Sequence, residues 1–382
     1  MVRRPHIAFV VTVPVTANVL LRGQLTFLRE RGFDVTVISS PGPELDEVAA
    51  RERVRVVPLP ISREIDPRND LRSLAELVRV LRSLRPDIVN ASTAKAGLLG
   101  LLAARANSIP SRVYLLRGLR LETEVGTKRA ILGATERLAS ACATRVVCVS
   151  ESLRERYVAA GYAPAQKCQV LGSGSSNGVD LARFERTPER IAQAAELRAR
   201  YAIPSAAPVI GFIGRPVADK GIAELLAAFE RVRAIHPGAR LVIVGAGFAD
   251  DQLADVLARR VGDTAGVVLV PRVPDPAPYY AMMDVLAFPS HREGFPNAPL
   301  EAAAAGVPTV GARATGTVDA VRDGQTGILF DIADVASLAS SLLRYLNEPS
   351  LRAAHGAAAN ALARERYGRE VVWRDWADFY LR

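Results

Sequence analysis

Val209-Ile210-Gly211-Phe212-Ile213-Gly214-Arg215-Pro216-Val217-Ala218-Asp219-Lys220-Gly221 reads as one structural unit. The uncharged run Val209–Ile213 predicts a buried strand. A loop opened by Gly214 follows, and a helix begins near Gly221. The loop presents Arg215 and Lys220, and the helix start adds unpaired backbone N–H groups. Two cations beside a positive dipole end suit a diphosphate. The G-K-[ST] ending of a Walker loop is missing. On its own, the stretch is equally an ordinary strand-to-helix turn with two exposed bases.

Outward from that unit the same alternation repeats. On its N-terminal side, Ile7–Val13, Asp34–Ser39, Arg53–Leu59, Asp87–Asn90, Arg112–Leu116, Arg145–Val149 and Gln169–Leu171 predict strands. Arg240–Val244, Val267–Val270, Val285–Phe288, Pro308–Gly311 and Gly327–Phe330 follow on its C-terminal side. Most are separated by segments with apolar residues at three-and-four spacing, such as Leu71–Leu84. Such alternation predicts parallel sheets covered on both faces, hence an α/β fold of two Rossmann-like, doubly wound domains. The length of 382 residues suits two domains. The expected division is 1–180, 181–365, and a C-terminal helix, 366–382, packing back on the N-terminal domain. Ligands of such sheets sit at the carboxyl ends of the strands, so two facing domains would make a cleft for donor and acceptor.

Composition narrows the class. Apolar residues make up 49% and charged residues 23%, a soluble globular balance. No window approaches the ~20 apolar residues of a membrane span, and Ile7–Val15 reads as a strand rather than a signal segment. A cytoplasmic protein is expected. Cys142, Cys148 and Cys168 have no metal-type spacing and suit a reducing compartment. The net charge is +9, and residues 1–180 hold 26 basic against 17 acidic side chains, which is the whole excess. A nucleic acid, an anionic membrane or an acidic substrate could explain it, as could a generic arginine-rich surface. No nucleic-acid motif is present, so a nucleic-acid binder ranks low. Helix Leu71–Leu84 carries Arg72, Arg79, Arg82 and Arg85 beside leucines, which suits contact with the inner membrane face or an ordinary core helix with a basic outer side.

The second chemical stretch is Ser290-His291-Arg292-Glu293-Gly294-Phe295-Pro296-Asn297-Ala298-Pro299-Leu300-Glu301. Asn297 is the expected N-cap of a helix whose first turn tolerates Pro299. Glu293 then lies in the loop after a strand and Glu301 about one turn into the helix. Carboxylates at both places could accept hydrogen bonds from sugar hydroxyls. Val244-Gly245-Ala246-Gly247-Phe248-Ala249-Asp250 imitates a dinucleotide fingerprint but lacks the third glycine. His6, His236, His291 and His355 show no metal-ligand spacing, and most are expected at the surface.

Gly214-Arg215…Lys220-Gly221, Glu293…Glu301 and Gly306-Val307-Pro308…Gly316…Asp323-Gly324…Gly327 together resemble the family-4 retaining glycosyltransferases of the GT-B fold. The two glutamates match that family's E-x(7)-E element. The resemblance implies that Arg215 and Lys220 bind the diphosphate of a nucleotide-sugar, with UDP favoured over GDP. It implies that Glu293 contacts the donor sugar with Gly294, Phe295, Pro296 and Asn297, that Glu301 holds the ribose hydroxyls, that Leu300 belongs to the same donor site, and that Arg272 and Val273 flank the base. It implies Glu293, Arg215 and Lys220 as the catalytic set, with no protein nucleophile, metal or other cofactor. The first half resembles bacterial members that build polysaccharide on lipid carriers, so a sugar or lipid-linked sugar acceptor is expected. Arg117 stands where many members carry a histidine. Arg117, Arg120, Glu122, Lys95 and Thr16 are the candidates on the acceptor or sugar side. A nucleotide-sugar epimerase, or a transferase acting on a soluble small-molecule acceptor, are the alternatives.

Overall fold

The computed structural model describes residues 4–62, 66–246 and 264–382. The chain forms two compact units, residues 1–177 with 369–382, and residues 178–368. In unit 1 the elements are β1 (His6–Val10), α1 (Pro14–Leu20), α2 (Gln24–Glu30), β2 (Asp34–Ser39), α3 (Pro43–Glu52), β3 (Arg55–Pro58) and α4 (Pro67–Leu84). They continue with β4 (Ile88–Ser92), α5 (Ala94–Ala106), β5 (Ser111–Leu116), α6 (Gly126–Cys142), β6 (Arg145–Cys148), α7 (Glu151–Ala159) and β7 (Cys168–Val170). The strands pair in the order β3-β2-β1-β4-β5-β6-β7, all parallel. The strand order reverses between β1 and β4, the switch point where such sheets bind ligands.

β1 stops at Val10, three residues short of the strand read from sequence, because Pro14 opens α1. Thr16 therefore lies in the first turn of a helix. In α4, Asp66 accepts from the Asn69 amide at 3.2 Å and caps the helix ahead of Pro67. Leu77 and Leu81 face the core, whereas Leu71 is 68% exposed and Arg72, Arg79, Arg82 and Arg85 lie in solvent. The helix uses its leucine side internally and offers an arginine side outward.

Unit 2 comprises α8 (Leu181–Phe184), α9 (Pro188–Arg200), β8 (Val209–Ile213), α10 (Ile222–Ile235), β9 (Arg240–Ala246), β10 (Val267–Pro271), α11 (Ala277–Met282), β11 (Val285–Phe288) and α12 (Asn297–Ala304). Then come β12 (Thr309–Ala312), α13 (Thr317–Ala320), β13 (Gly327–Phe330), α14 (Val335–Asn347) and α15 (Pro349–Leu362). Its parallel sheet runs β10-β9-β8-β11-β12-β13, with the switch between β8 and β11. Phe212, Phe229, Leu241, Leu342 and Tyr345 pack α10 and α14 onto this sheet. Each such buried side chain stabilises by roughly 1.5–3 kcal/mol relative to exposure.

The final helix, α16 (Arg369–Leu381), belongs to unit 1. Its Trp373 indole donates to Asn177 Oδ1 at 2.6 Å and its ring lies 5.6 Å from that of Phe27. Tyr380 meets Phe9 and Phe33 edge-on, at 6.2 Å from each. Two histidines expected at the surface are buried: His6 shares a hydrogen bond with Thr36 Oγ1 at 2.9 Å, and His355 with the Tyr345 hydroxyl at 2.7 Å. In each case a hydroxyl partner satisfies one ring nitrogen of the buried imidazole. The three cysteines are buried free thiols.

Candidate active site

The loops after β8 and β11 flank the switch point of unit 2, and their packing requires glycine. Gly221 has φ +68°, and a Cβ there would lie 2.2 Å from the Pro289 carbonyl oxygen. Gly316 has φ +75°, and a Cβ there would lie 2.3 Å from the Gly294 carbonyl oxygen. The β11 loop is thus held on both sides by close backbone contact. Further bonds fix it: the His291 amide donates to the Asp219 carbonyl at 2.9 Å, and the Glu293 amide to the Thr315 carbonyl at 3.2 Å. Arg292 pairs with Asp219 at 2.9 Å, and the His291 ring meets Glu224 Oε1 at 2.9 Å.

This packing brings together two residues 73 positions apart: Lys220 Nζ donates to Glu293 Oε1 at 2.5 Å, with both side chains mostly buried. Arg215 stands exposed in the same loop, and no side chain among the described residues pairs with it. The site therefore couples one cation to the loop carboxylate and leaves the second open.

Glu301 projects from α12. Tyr280, a buried residue of α11, donates its hydroxyl to Glu301 Oε2 at 2.8 Å. Burial, and then the nearby Glu301 charge, raise the Tyr280 phenol well above its ordinary value, so it remains a donor. The expected cap is corrected: Pro296, at φ −76° and ψ 132°, takes the N-cap position, and Asn297 is already helical. No side chain caps α12, so its first turn lacks the protein acceptor that Asn297 was expected to supply. Leu300 and Phe295 are buried, and the Phe295 ring lies 5.3 Å from that of Tyr367. After β10, Arg272 is exposed and Val273 half-buried. The Gly247–Asp250 part of the fingerprint-like stretch lies outside the described residues. Sequence reading missed Tyr280, Asp219 and Thr315. Asp219 lay within the quoted loop; Tyr280 carried no signal separating it from a core aromatic.

In unit 1, Thr16 and Lys95 line one cavity of ≈ 370 Å³ at the carboxyl ends of β1 and β4. Thr12, Thr93, Lys128 and Ile131 also line it. Lys95 pairs with Asp70 at 2.7 Å, and the Thr12 and Thr93 hydroxyls share a hydrogen bond of 2.6 Å. Glu122 lies in a single 3-10 turn, 3.5 Å from Arg156. The Arg120 side chain lies outside the described set. Arg117 follows β5 directly, with its guanidinium buried.

The family model described as "Glycosyl transferase 4-like domain" matches residues 17–174, and "Glycosyl transferases group 1" matches residues 207–348. A Staphylococcus aureus capsular polysaccharide biosynthesis glycosyltransferase, CapM, is 34% identical over 361 residues, covering 94% of this chain and 93% of that protein. An Escherichia coli UDP-Gal:alpha-D-GlcNAc-diphosphoundecaprenol alpha-1,3-galactosyltransferase is 26% identical, covering 86% and 84%. Anabaena HepE, solved with UDP and glucose, superposes with a TM-score of 0.82 over 99% of both chains at 20% identity, a likeness of fold. Sequence similarity along almost the whole chain and the paired parallel sheets lead to one conclusion: it belongs to the group 1 glycosyltransferases and has the GT-B fold.

Proposed function

We propose that the protein transfers a sugar, with retention of configuration, from a UDP-sugar to a hydroxyl of a lipid-linked sugar in cell-surface polysaccharide synthesis. The observation that carries the donor half is the Lys220–Glu293 contact beside exposed Arg215. A donor diphosphate would take both cations. Lys220 would exchange its carboxylate partner for phosphate, and Glu293 would be released to accept from sugar hydroxyls. Glu301, oriented by Tyr280, would accept from the ribose hydroxyls. Arg272 and Val273 would flank the base.

In the transfer, the acceptor oxygen forms a bond to the anomeric carbon while that carbon's bond to the diphosphate oxygen breaks. The electron pair leaves with the diphosphate, and the acceptor proton passes to it. Cations fixed at the departing oxygens lower the barrier because charge develops there. Metal independence is part of the proposal: full activity in EDTA is expected, and loss restored by added magnesium refutes it. The lipid-linked acceptor is supported by the activity named for the E. coli relative, and the pathway by that named for CapM. A cytoplasmic location at the inner membrane face follows from that acceptor. The arginine face of α4 would hold the enzyme there through anionic lipid. Vesicle binding that is unchanged after Arg72, Arg79 and Arg82 are neutralised would count against it.

The decisive experiment separates binding from transfer. Glu293→Ala should abolish transfer and leave UDP affinity within about threefold, whereas Lys220→Ala should weaken UDP by about 10- to 100-fold, the loss of a charged hydrogen bond. Equal loss of UDP affinity in both variants refutes the division of roles. UDP release from UDP-sugar only when acceptor is present separates transfer from epimerisation.

A further inference from the structure

We infer that Arg117 is an oxyanion-binding residue of unit 1, its guanidinium receiving a phosphate or carboxylate carried by a substrate. Arg117 sits at the carboxyl end of β5, the edge at which open α/β sheets bind ligands. Its Nε, Nη1 and Nη2 are all buried and have no hydrogen-bond partner among the described residues. The residue retains some exposure, so that exposure lies on its stem and backbone rather than on the charged group.

Neighbouring arginines behave differently. Arg112, near the start of β5, donates to the Cys142 carbonyl at 2.7 Å and the Ile109 carbonyl at 2.6 Å. Arg145, on β6, donates to Ser111 Oγ at 3.1 Å and lies 4.1 Å over the Phe379 ring. Arg29, Arg233 and Arg292 each have a single buried nitrogen without a hydrogen-bond partner, their Nε. At Arg117 the whole fork is unused.

The titratable group beside it is the Tyr380 phenol, which burial keeps protonated and neutral. Burial lowers the Arg117 guanidinium to about 10, so it is still charged at neutral pH. The Tyr380 hydroxyl also takes an N–H from Asn90 at 2.5 Å, and Asn90 Oδ1 has no partner. Phe9, Phe33 and Trp376 surround that phenol. A planar cation beside a neutral phenol, with its N–H donors unused, has no counter-ion among the described residues. Its fork geometry fits a carboxylate or a phosphate through two parallel bonds. An arginine kept only for structure would satisfy those donors within the fold.

The identity of the anion as part of a substrate rests on the glycosyl-transfer reading; the anion site does not. The test uses the full chain carrying Arg215→Ala and Lys220→Ala, which removes the proposed donor diphosphate contacts. Inorganic pyrophosphate and glucuronate are titrated separately, so the two arms distinguish phosphate from carboxylate. At least one should still raise the melting temperature, and adding Arg117→Met should weaken that response at least 10-fold. Arg117→Lys, which keeps charge but loses the fork, should weaken it less. In anion-free buffer Arg117→Met alone should melt higher than the parent, because an apolar isostere removes an uncompensated buried charge. An anion response unaffected by Arg117→Met overturns the inference, as does a lower anion-free melting temperature. Loss of every anion response in the Arg215/Lys220 variant overturns it too, while leaving the donor-site reading intact.

Discussion

Glu136 offers a measurement in which one buried proton sets the pH dependence of unit 1. The carboxyl sits on α6, 6% exposed, and its Oε2 accepts from the Tyr114 and Tyr157 hydroxyls at 3.0 Å each. Burial raises it from 4.5 to about 7, and the two phenols oppose the rise without cancelling it. The folded state therefore keeps a proton that the unfolded chain releases. The associated stability is complete below pH 4.5, declines as pH rises and is gone above about 7. At about 1.4 kcal/mol per pH unit, the interval amounts to about 3 kcal/mol. Glu136→Gln supplies a permanently neutral isostere whose oxygen can accept both phenol hydrogens. At pH 8.5 it should melt above the wild type by about 6–12 °C, at roughly 2–4 °C per kcal/mol for a unit of this size. At pH 5 the two proteins should nearly coincide. Taking the difference at each pH from 5 to 9 by circular dichroism cancels the carboxylates that shift the other way, such as Glu52 and Asp275. A constant difference, or a variant that melts lower at pH 8.5, would sink the reasoning.

Gly316→Ala adds a Cβ against the Gly294 carbonyl at positive φ and should displace the Glu293 loop. Transfer should fall about 100-fold, the scale of an ångström-level misplacement. Gly324→Ala, at φ +68° with nothing nearby, should cost stability only, and equal kinetic losses in both would refute the loop argument. Tyr280→Phe removes the hydroxyl that orients Glu301. UDP affinity should drop about 10-fold by calorimetry, the worth of a charged hydrogen bond; unchanged affinity would rule out the proposed ribose role of Glu301.

The fold was legible because parallel strands are buried on both faces and read as unbroken apolar runs. β2, β8, β11 and β13 have the bounds expected from sequence. Where the reading slipped, a backbone constraint outweighed composition. Pro14 ended β1 early, and Pro296 took the cap position that Asn297's side chain suggested. The charged residues of the loops after β8 and β11 were visible, but not that Lys220 and Glu293 meet, since a contact across 73 residues leaves no local pattern. Glu136 was hidden for the same reason. It lies in the polar run Thr135-Glu136-Arg137, and the phenols that enclose it come from β5 and α7.

The assignment of α16 to unit 1 bears on the order of synthesis. A ribosome completes residues 178–368, the whole of unit 2, before residue 369 is made. Unit 1, although most of it is made before unit 2, waits for α16. Until Trp373 and Tyr380 emerge, Phe9, Phe27 and Phe33 lack their aromatic partners. Unit 2 can then mature first, reversing the usual N-to-C progression of domains during translation. A stop near residue 369 would spare the loops that carry Lys220 and Glu293 and leave unit 1 unfinished.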